Sequence, residues 1–278
     1  MLGFFYLKTY LNIGRDVKTD FRPNMKKYTL PSRVAIYKIS VDHGMAPNPF
    51  HGICTLALCT PNHQRSNIEP NDIIIGVTSN QLKGRFRIDQ NDEKIIYCMQ
   101  VDKRAPLNDY FNNHAYKDKK PDLAKGGLWA KGDNFYCNNE DGILVHLGIT
   151  NDHTDKPTML QDIYGDRVWI SRRFTYWGRK APSIPLDTDW GKRLYQQINQ
   201  KLKQGVHYIF GGTATYKWDE ANLVAFMDWL TVPNGFKGQI GLPFDFDEDG
   251  NDGNKRRNCG SYHTALPSTT RHDGCNSC

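Results

Sequence analysis

Residues 33–60 read RVAIYKISVDHGMAPNPFHGICTLALCT. In the first nine, Val34, Ile36, Lys38 and Ser40 alternate with Ala35, Tyr37, Ile39 and Val41. That two-residue period predicts a strand over 33–41. Gly44, Pro47, Pro49 and Gly52 then punctuate a loop, and the apolar run that follows predicts a second strand over 53–59. A loop dense in polar side chains between two core strands is the kind of place where binding and catalytic groups gather.

Working outward, the same signals predict strands over 71–79 (NDIIIGVTS), 94–102 (KIIYCMQVD), 143–149, 167–178 (RVWISRRFTYWG) and 207–211. Residues 80–93 read as a hairpin or linker, 106–111 as a short helix, 112–131 as a polar, Lys-rich surface loop, and 132–137 (GDNFYC) as a turn into a short strand. In 187–204, Trp190, Leu194, Ile198 and Leu202 recur every four residues, predicting a helix that Gly205 stops. In 219–231, Leu223, Phe226, Met227 and Leu230 share one helical face behind an Asp219 N-cap. Strands fill the first two-thirds and helices come late. The expected class is therefore α+β, a mixed or antiparallel sheet with a few helices mostly in the C-terminal third, and not a regular βαβ array. Residues 1–32 read as an N-terminal extension, 33–242 as a single α+β domain, and 243–278 as a flexible or metal-stabilised tail rich in Cys, Asp and Gly. There is no GxGxxG or P-loop pattern to support a dinucleotide or P-loop site.

The 278 residues are 38% hydrophobic and 12% aromatic, as expected of a soluble globular protein. No apolar run approaches the roughly 20 residues that a membrane-spanning helix requires, and the N-terminus lacks the features of a signal peptide, so the expected compartment is the cytoplasm. The net charge of +6 favours a polyanionic partner modestly and serves equally well as a solubility charge. Seven cysteines cannot all pair within the chain, which suits a reducing compartment.

Several groups carry candidate chemistry. Asp42 and His43, at a strand end, have the residue types of an acid/base pair, although neighbours on a strand point to opposite faces. Cys54 is a candidate nucleophile if His43 or His51 lies near enough to favour its thiolate; the alternative is a small buried hydrophobe, the preferred reading for Cys59. Asn48, held between two prolines with Phe50 beside it, is a candidate for reading a base edge or an oxyanion. Asp133, Asn134 and Tyr136 would suit a flipped base, or else form a capped turn. Arg172 and Arg173, with Trp177 nearby, fit phosphate-plus-stacking recognition or a half-exposed strand. In the tail, residues 245–250 begin like a calcium loop, but Arg256 stands where the bidentate Glu belongs, which favours a solvated acidic loop. Cys259, His263, Cys275 and Cys278, with His272 among them, would supply a structural zinc site, with a disordered tail as the alternative. The sequence names no organic cofactor.

These motifs, APNPF at 46–50, CTLA at 54–57, GDNFY at 132–136 and SRRF at 171–174 followed by Tyr176-Trp177-Gly178, resemble in the same order the second family of nucleotide-modification-associated domains. The resemblance spans roughly residues 34–242, with Asn71-Asp72 where the family has Gly-Asp. It implies a part in bacteriophage and bacterial systems that hypermodify DNA bases, an association drawn from genomic context. DNA or a nucleotide would be the substrate, and other base-modification enzymes would be partners. It supplies no catalytic residues. Two readings follow: an enzyme acting on a nucleobase or modified nucleotide, or a non-catalytic module that recognises a modified base for a partner enzyme. A metal-stabilised structural subunit is a third reading and depends on the tail.

Overall fold

The structure is a computed structural model and describes residues 28–58, 66–150, 152–200 and 206–246. The 33–41 pattern forms β1 (Val34–Ile39), and 71–79 and 94–102 form β3 (Ile73–Thr78) and β4 (Ile95–Gln100). The expected 53–59 strand is shorter, β2 (Cys54–Leu56). The 167–178 run is two strands, β8 (Val168–Ser171) and β9 (Arg173–Tyr176). With β10 (His207–Phe210) and β11 (Gly238–Gln239), the main sheet has the order β10-β1-β3-β4-β9-β11. It is mixed: β1–β3 and β9–β11 are parallel, and the other pairs antiparallel. A second, antiparallel sheet has β8 between β2 and β5 (Lys103–Ala105), and β6 (Tyr136–Asn138) pairs with β7 (Leu144–His146).

Two strands change sheets at one level. Gln100 pairs with Arg173 in the main sheet, while Lys103 pairs with Ile170 in the second. The intervening Asp102 takes the turn: its carboxylate accepts from the Arg172 backbone N–H and from Arg173 Nε at 2.6 Å. Ser171 Oγ donates to the Gln100 carbonyl and accepts from Arg173 N at 2.8 Å. The corner coincides with the polar run Ser171-Arg172-Arg173, which divides the two apolar halves of 167–178.

The helix pattern of 219–231 is realised as Glu220–Thr231, capped by Asp219 and burying Leu223, Phe226, Met227 and Leu230. The expected 187–204 helix ends earlier, covering Asp189–Ile198, with Asn199 N–H returning to the Tyr195 carbonyl; residues 201–205 lie outside those described. Both pack in the main cluster with the six-stranded sheet. Residues 80–93 contain α1 (Asn80–Phe86) rather than a hairpin. Its seven residues with an interior Gly84 carry too little periodicity to read. Ser79 Oγ accepts from Leu82 N at 3.1 Å, and Lys83, fully buried, ion-pairs with Glu93 at 2.6 Å. Removing an N-cap hydroxyl costs about 1 kcal/mol, so Ser79→Ala should lower the unfolding free energy by that amount, read as a lower urea midpoint with an unchanged slope.

The Lys-rich 112–131 stretch is not a structureless loop. It follows α2 (Leu107–Asn112) and makes two 3₁₀ turns, His114–Lys119 and Gly127–Lys131, with Tyr116 and Lys119 buried. At the other end, residues 243–246 pack into the fold: Phe244 and Phe246 are buried and Asp245 accepts from Asp42 N at 2.9 Å. Among the described residues, no helix is long and apolar enough to cross a membrane.

Candidate functional site

The loop after β1 is held at three points. At its start, Asp42 is fully buried; its Oδ1 accepts from Tyr176 OH at 2.6 Å and its Oδ2 from Phe244 N at 3.0 Å. Both carboxylate oxygens are therefore taken by the fold, and no hydrogen bond joins Asp42 to the half-buried His43. Burial outweighs those two donors and pushes the Asp42 carboxyl up to about 6. Gly44 sits at φ +80, and a Cβ there would lie 2.6 Å from the buried Phe50 ring, so glycine alone permits this turn to close over Phe50. Phe50 packs at a tilt against Phe246, with ring centroids 6.0 Å apart.

At its centre the loop folds back on itself, Asn48 exchanging two backbone bonds with Thr55. The Asn48 amide is fully engaged: Nδ2 donates to the Lys131 carbonyl at 2.6 Å, and Oδ1 accepts from Lys119 Nζ at 2.6 Å. Lys119 also donates to the Asn48 carbonyl at 3.0 Å and the Ile53 carbonyl at 2.6 Å, so its three donors meet three oxygens. Asp133 closes the lock, accepting from Thr55 Oγ1 at 2.6 Å and Tyr110 OH at 2.7 Å. Burial pulls Lys119 down to about 8 and pushes Asp133 up, each partly offset by the other's charge. Asn134 donates to the Tyr110 and Tyr116 carbonyls at 3.2 and 3.4 Å. These amides and carboxylates fix the loop to the GDNFY turn.

Cys54 is buried in β2 opposite Ser171, and burial pushes its thiol up to about 12. That is the opposite of what a nucleophilic thiolate needs, and the small-hydrophobe reading fits it. His51, in left-handed backbone at φ 58, lies against Trp129 with ring centroids 4.2 Å apart; burial, with the Lys119 charge second, holds its imidazole below the ordinary range. Arg173 is turned to Asp102 at the sheet corner, the Arg172 side chain is exposed, and Trp177 packs on Trp229 at 5.5 Å in the main core. The loop, the GDNFY turn and the strand of SRRF are thus neighbours, through Thr55–Asp133 and Cys54–Ser171. Trp177 belongs elsewhere. The proposed zinc ligands Cys259, His263, Cys275 and Cys278, and Cys59, lie outside the described residues, and among those described no group of three or more His, Cys, Asp or Glu could hold a metal ion.

A second constellation lies behind the GDNFY turn and was not singled out from the sequence. α3 (Lys156–Ile163), capped by Asp155 with a proline in its first turn, brings Asp162 against β6. One carboxylate oxygen of the fully buried Asp162 takes Tyr136 OH at 3.0 Å and His153 Nδ1. His153 is a non-glycine residue at φ 59, a conformation held by its surroundings. Beside it, His146 Nδ1 accepts from Gly148 N at 2.9 Å, which places the ring hydrogen on Nε2, donating to the Asp152 carbonyl at 3.0 Å. Phe135 packs against both imidazoles, with centroids 4.8 Å from His146 and 6.1 Å from His153. The signal available in the sequence was a capped short helix after an Asp-His pair at 152–153, with an acidic residue in its last turn.

Residues 32–250 match a family model described as nucleotide modification associated domain 2. The match runs past residue 242, consistent with the packing of Phe244 and Phe246. No curated protein and no solved structure matches the chain.

Proposed function

We propose, for a chain that belongs to the nucleotide modification associated domain 2 family, an enzyme that performs proton transfer on a nucleobase or modified nucleotide, with His153 as general base and Asp162 as its orienting carboxylate. The observation that carries this reading is the Asp162 contact to His153 Nδ1. A carboxylate at Nδ1 selects the tautomer with its basic lone pair on Nε2 and stabilises the imidazolium once a proton is taken. Tyr136, on the same carboxylate oxygen, fixes the direction in which Asp162 points, and Phe135 packs against His153 and His146 alike. Asp42, Asn48, Asp133 and Cys54 act in this reading as the frame. Nucleotide modification as a process follows from the family; the base, the group transferred and the proton step are the proposal.

A positioned general base contributes typically 10²–10⁴-fold to a reaction rate. The test is mass spectrometry of nucleosides from DNA of cells co-expressing the chain with its genomic neighbours. A modified nucleoside should be lost with His153→Ala and strongly reduced with Asp162→Asn, which keeps the shape but not the tautomer. Undiminished product from a folded His153→Ala variant would rule the assignment out. Tight binding of modified oligonucleotide without any turnover by the unaltered chain would favour the recognition module instead.

A further inference from the structure

Resting on that nucleotide reading, a second feature points to the form of the substrate. Residues 103–131 hold seven Lys or Arg against three Asp, +4 of the chain's net +6 in 29 residues. Lys119 is buried, but the others lie at the surface or half-buried. Three lysines sit over aromatic rings: Lys103 over Tyr116 at 4.9 Å, Lys120 over Phe111 at 3.4 Å and Lys125 over Trp129 at 4.5 Å. The rings come from consecutive, touching elements: Tyr116 packs on Tyr110 of α2 at 5.0 Å, and Trp129 O accepts from Asp122 N at 2.7 Å. Phe111 and Trp129 are half-exposed. The sheet corner extends the patch, because Lys103 pairs with Ile170, two residues before the exposed Arg172, whose guanidinium makes no hydrogen bond among the described residues.

We infer that this face binds a single-stranded segment of nucleic acid, with phosphates on Lys103, Lys120, Lys125 and Arg172 and bases against Phe111 and Trp129. Magnitudes favour the exchange. A lysine over an exposed ring gains about 0.5–1 kcal/mol, whereas a base stacked on an aromatic ring gains about 1–3 kcal/mol. The ammonium can leave the ring for a phosphate while the ring takes the base. The Lys125–Asp122 pair at 2.9 Å is an exposed i,i+3 contact and holds the lysine only weakly. Only unpaired bases offer their faces to Phe111 and Trp129, which sets single strand over duplex. A plain solvating surface would need the charges but not a ring under each of three lysines.

The experiment is fluorescence anisotropy of a labelled oligothymidylate with the full chain between 50 and 200 mM salt, comparing it with the Lys103→Gln/Lys120→Gln/Lys125→Gln variant and with Trp129→Ala. At about 0.7 per single-strand phosphate contact, the triple variant should flatten the log–log salt slope by about 2 and weaken binding at low salt more than tenfold. Trp129→Ala should weaken binding with the slope unchanged, a separation that simple charge attraction does not produce. Equal affinity and slope for the unaltered chain and the folded triple variant would overturn the inference, as would no binding at all. Tighter binding of the matching duplex would also overturn it, and polyglutamate binding as tight as the oligonucleotide would reassign the face to an acidic protein. The two proposals fail separately: nucleoside product formed at full yield by the triple variant removes this face but leaves His153 standing, whereas slope-dependent binding without any product does the reverse.

Discussion

Replacing Lys119 with Met should destabilise the protein by about 3–5 kcal/mol, read as a lower urea midpoint at an unchanged slope. The side chains are close in length, so the loss does not come from a cavity. It comes from leaving three buried oxygens, Asn48 Oδ1 and the carbonyls of Asn48 and Ile53, without a donor, and Asp133 as a buried carboxylate without a nearby cation. Breaking a buried charge pair by removing one partner costs this much because the survivor is stranded. Adding Asp133→Asn should therefore recover part of the loss, since a neutral amide oxygen can still accept from Thr55 or Tyr110 without a charge to compensate. A coupling of about 1–3 kcal/mol between the two sites is expected from a double-mutant cycle. Additive losses would show that Lys119 serves the loop carbonyls alone.

The same lysine shows where reading a sequence stops. Strand 33–41 was legible from its two-residue alternation, 71–79 and 94–102 from short apolar runs that the structure buries on both faces, and the 219–231 helix because one face is wholly apolar. The structure trims these by one or two residues at their ends. Lys119 gives no such signal: among lysines of a polar stretch it differs only in meeting oxygens from residues 48 and 53, some seventy positions earlier. The corner at Arg172 carried a break in the apolar pattern, Ser171-Arg172-Arg173, but its meaning as a change of sheet depends on Asp102 reaching it from another strand. The loop at 42–54 was legible as a centre of organisation but not in its role. Asn, Asp and His around a pair of prolines are what a catalytic loop requires and also what a hydrogen-bonded lock requires, and only the partners tell them apart. The His153–Asp162 pair spans nine residues with no period of its own, and its meaning depends on Tyr136 reaching it from another element.

Asp42 gives the clearest pH signature. Its carboxyl ionises near 6 in the folded chain against about 3.9 when unfolded, with burial as the main cause. Between those values the folded state binds the proton that the unfolded state has released. The stability from a neutral Asp42 is therefore fully present below about pH 4 and is lost as pH rises through 6. A difference of about two pKa units corresponds to about 3 kcal/mol. Asp72 and Asp133 are also raised, so the total pH profile mixes several groups, and the informative quantity is a difference between two proteins. In Asp42→Asn, the amide oxygen can accept from Phe244 N while its NH₂ donates to the Tyr176 oxygen, and no proton is exchanged. Its unfolding free energy from urea titration should match that of the unaltered chain near pH 4 and exceed it by an amount approaching about 3 kcal/mol at pH 7. Tyr176→Phe removes the donor at 2.6 Å that favours the carboxylate, so the window should move to higher pH in that variant. Stability curves of the unaltered chain and Asp42→Asn that run parallel from pH 4 to 7 would mean that Asp42 is already ionised throughout, with Tyr176 and Phe244 outweighing its burial.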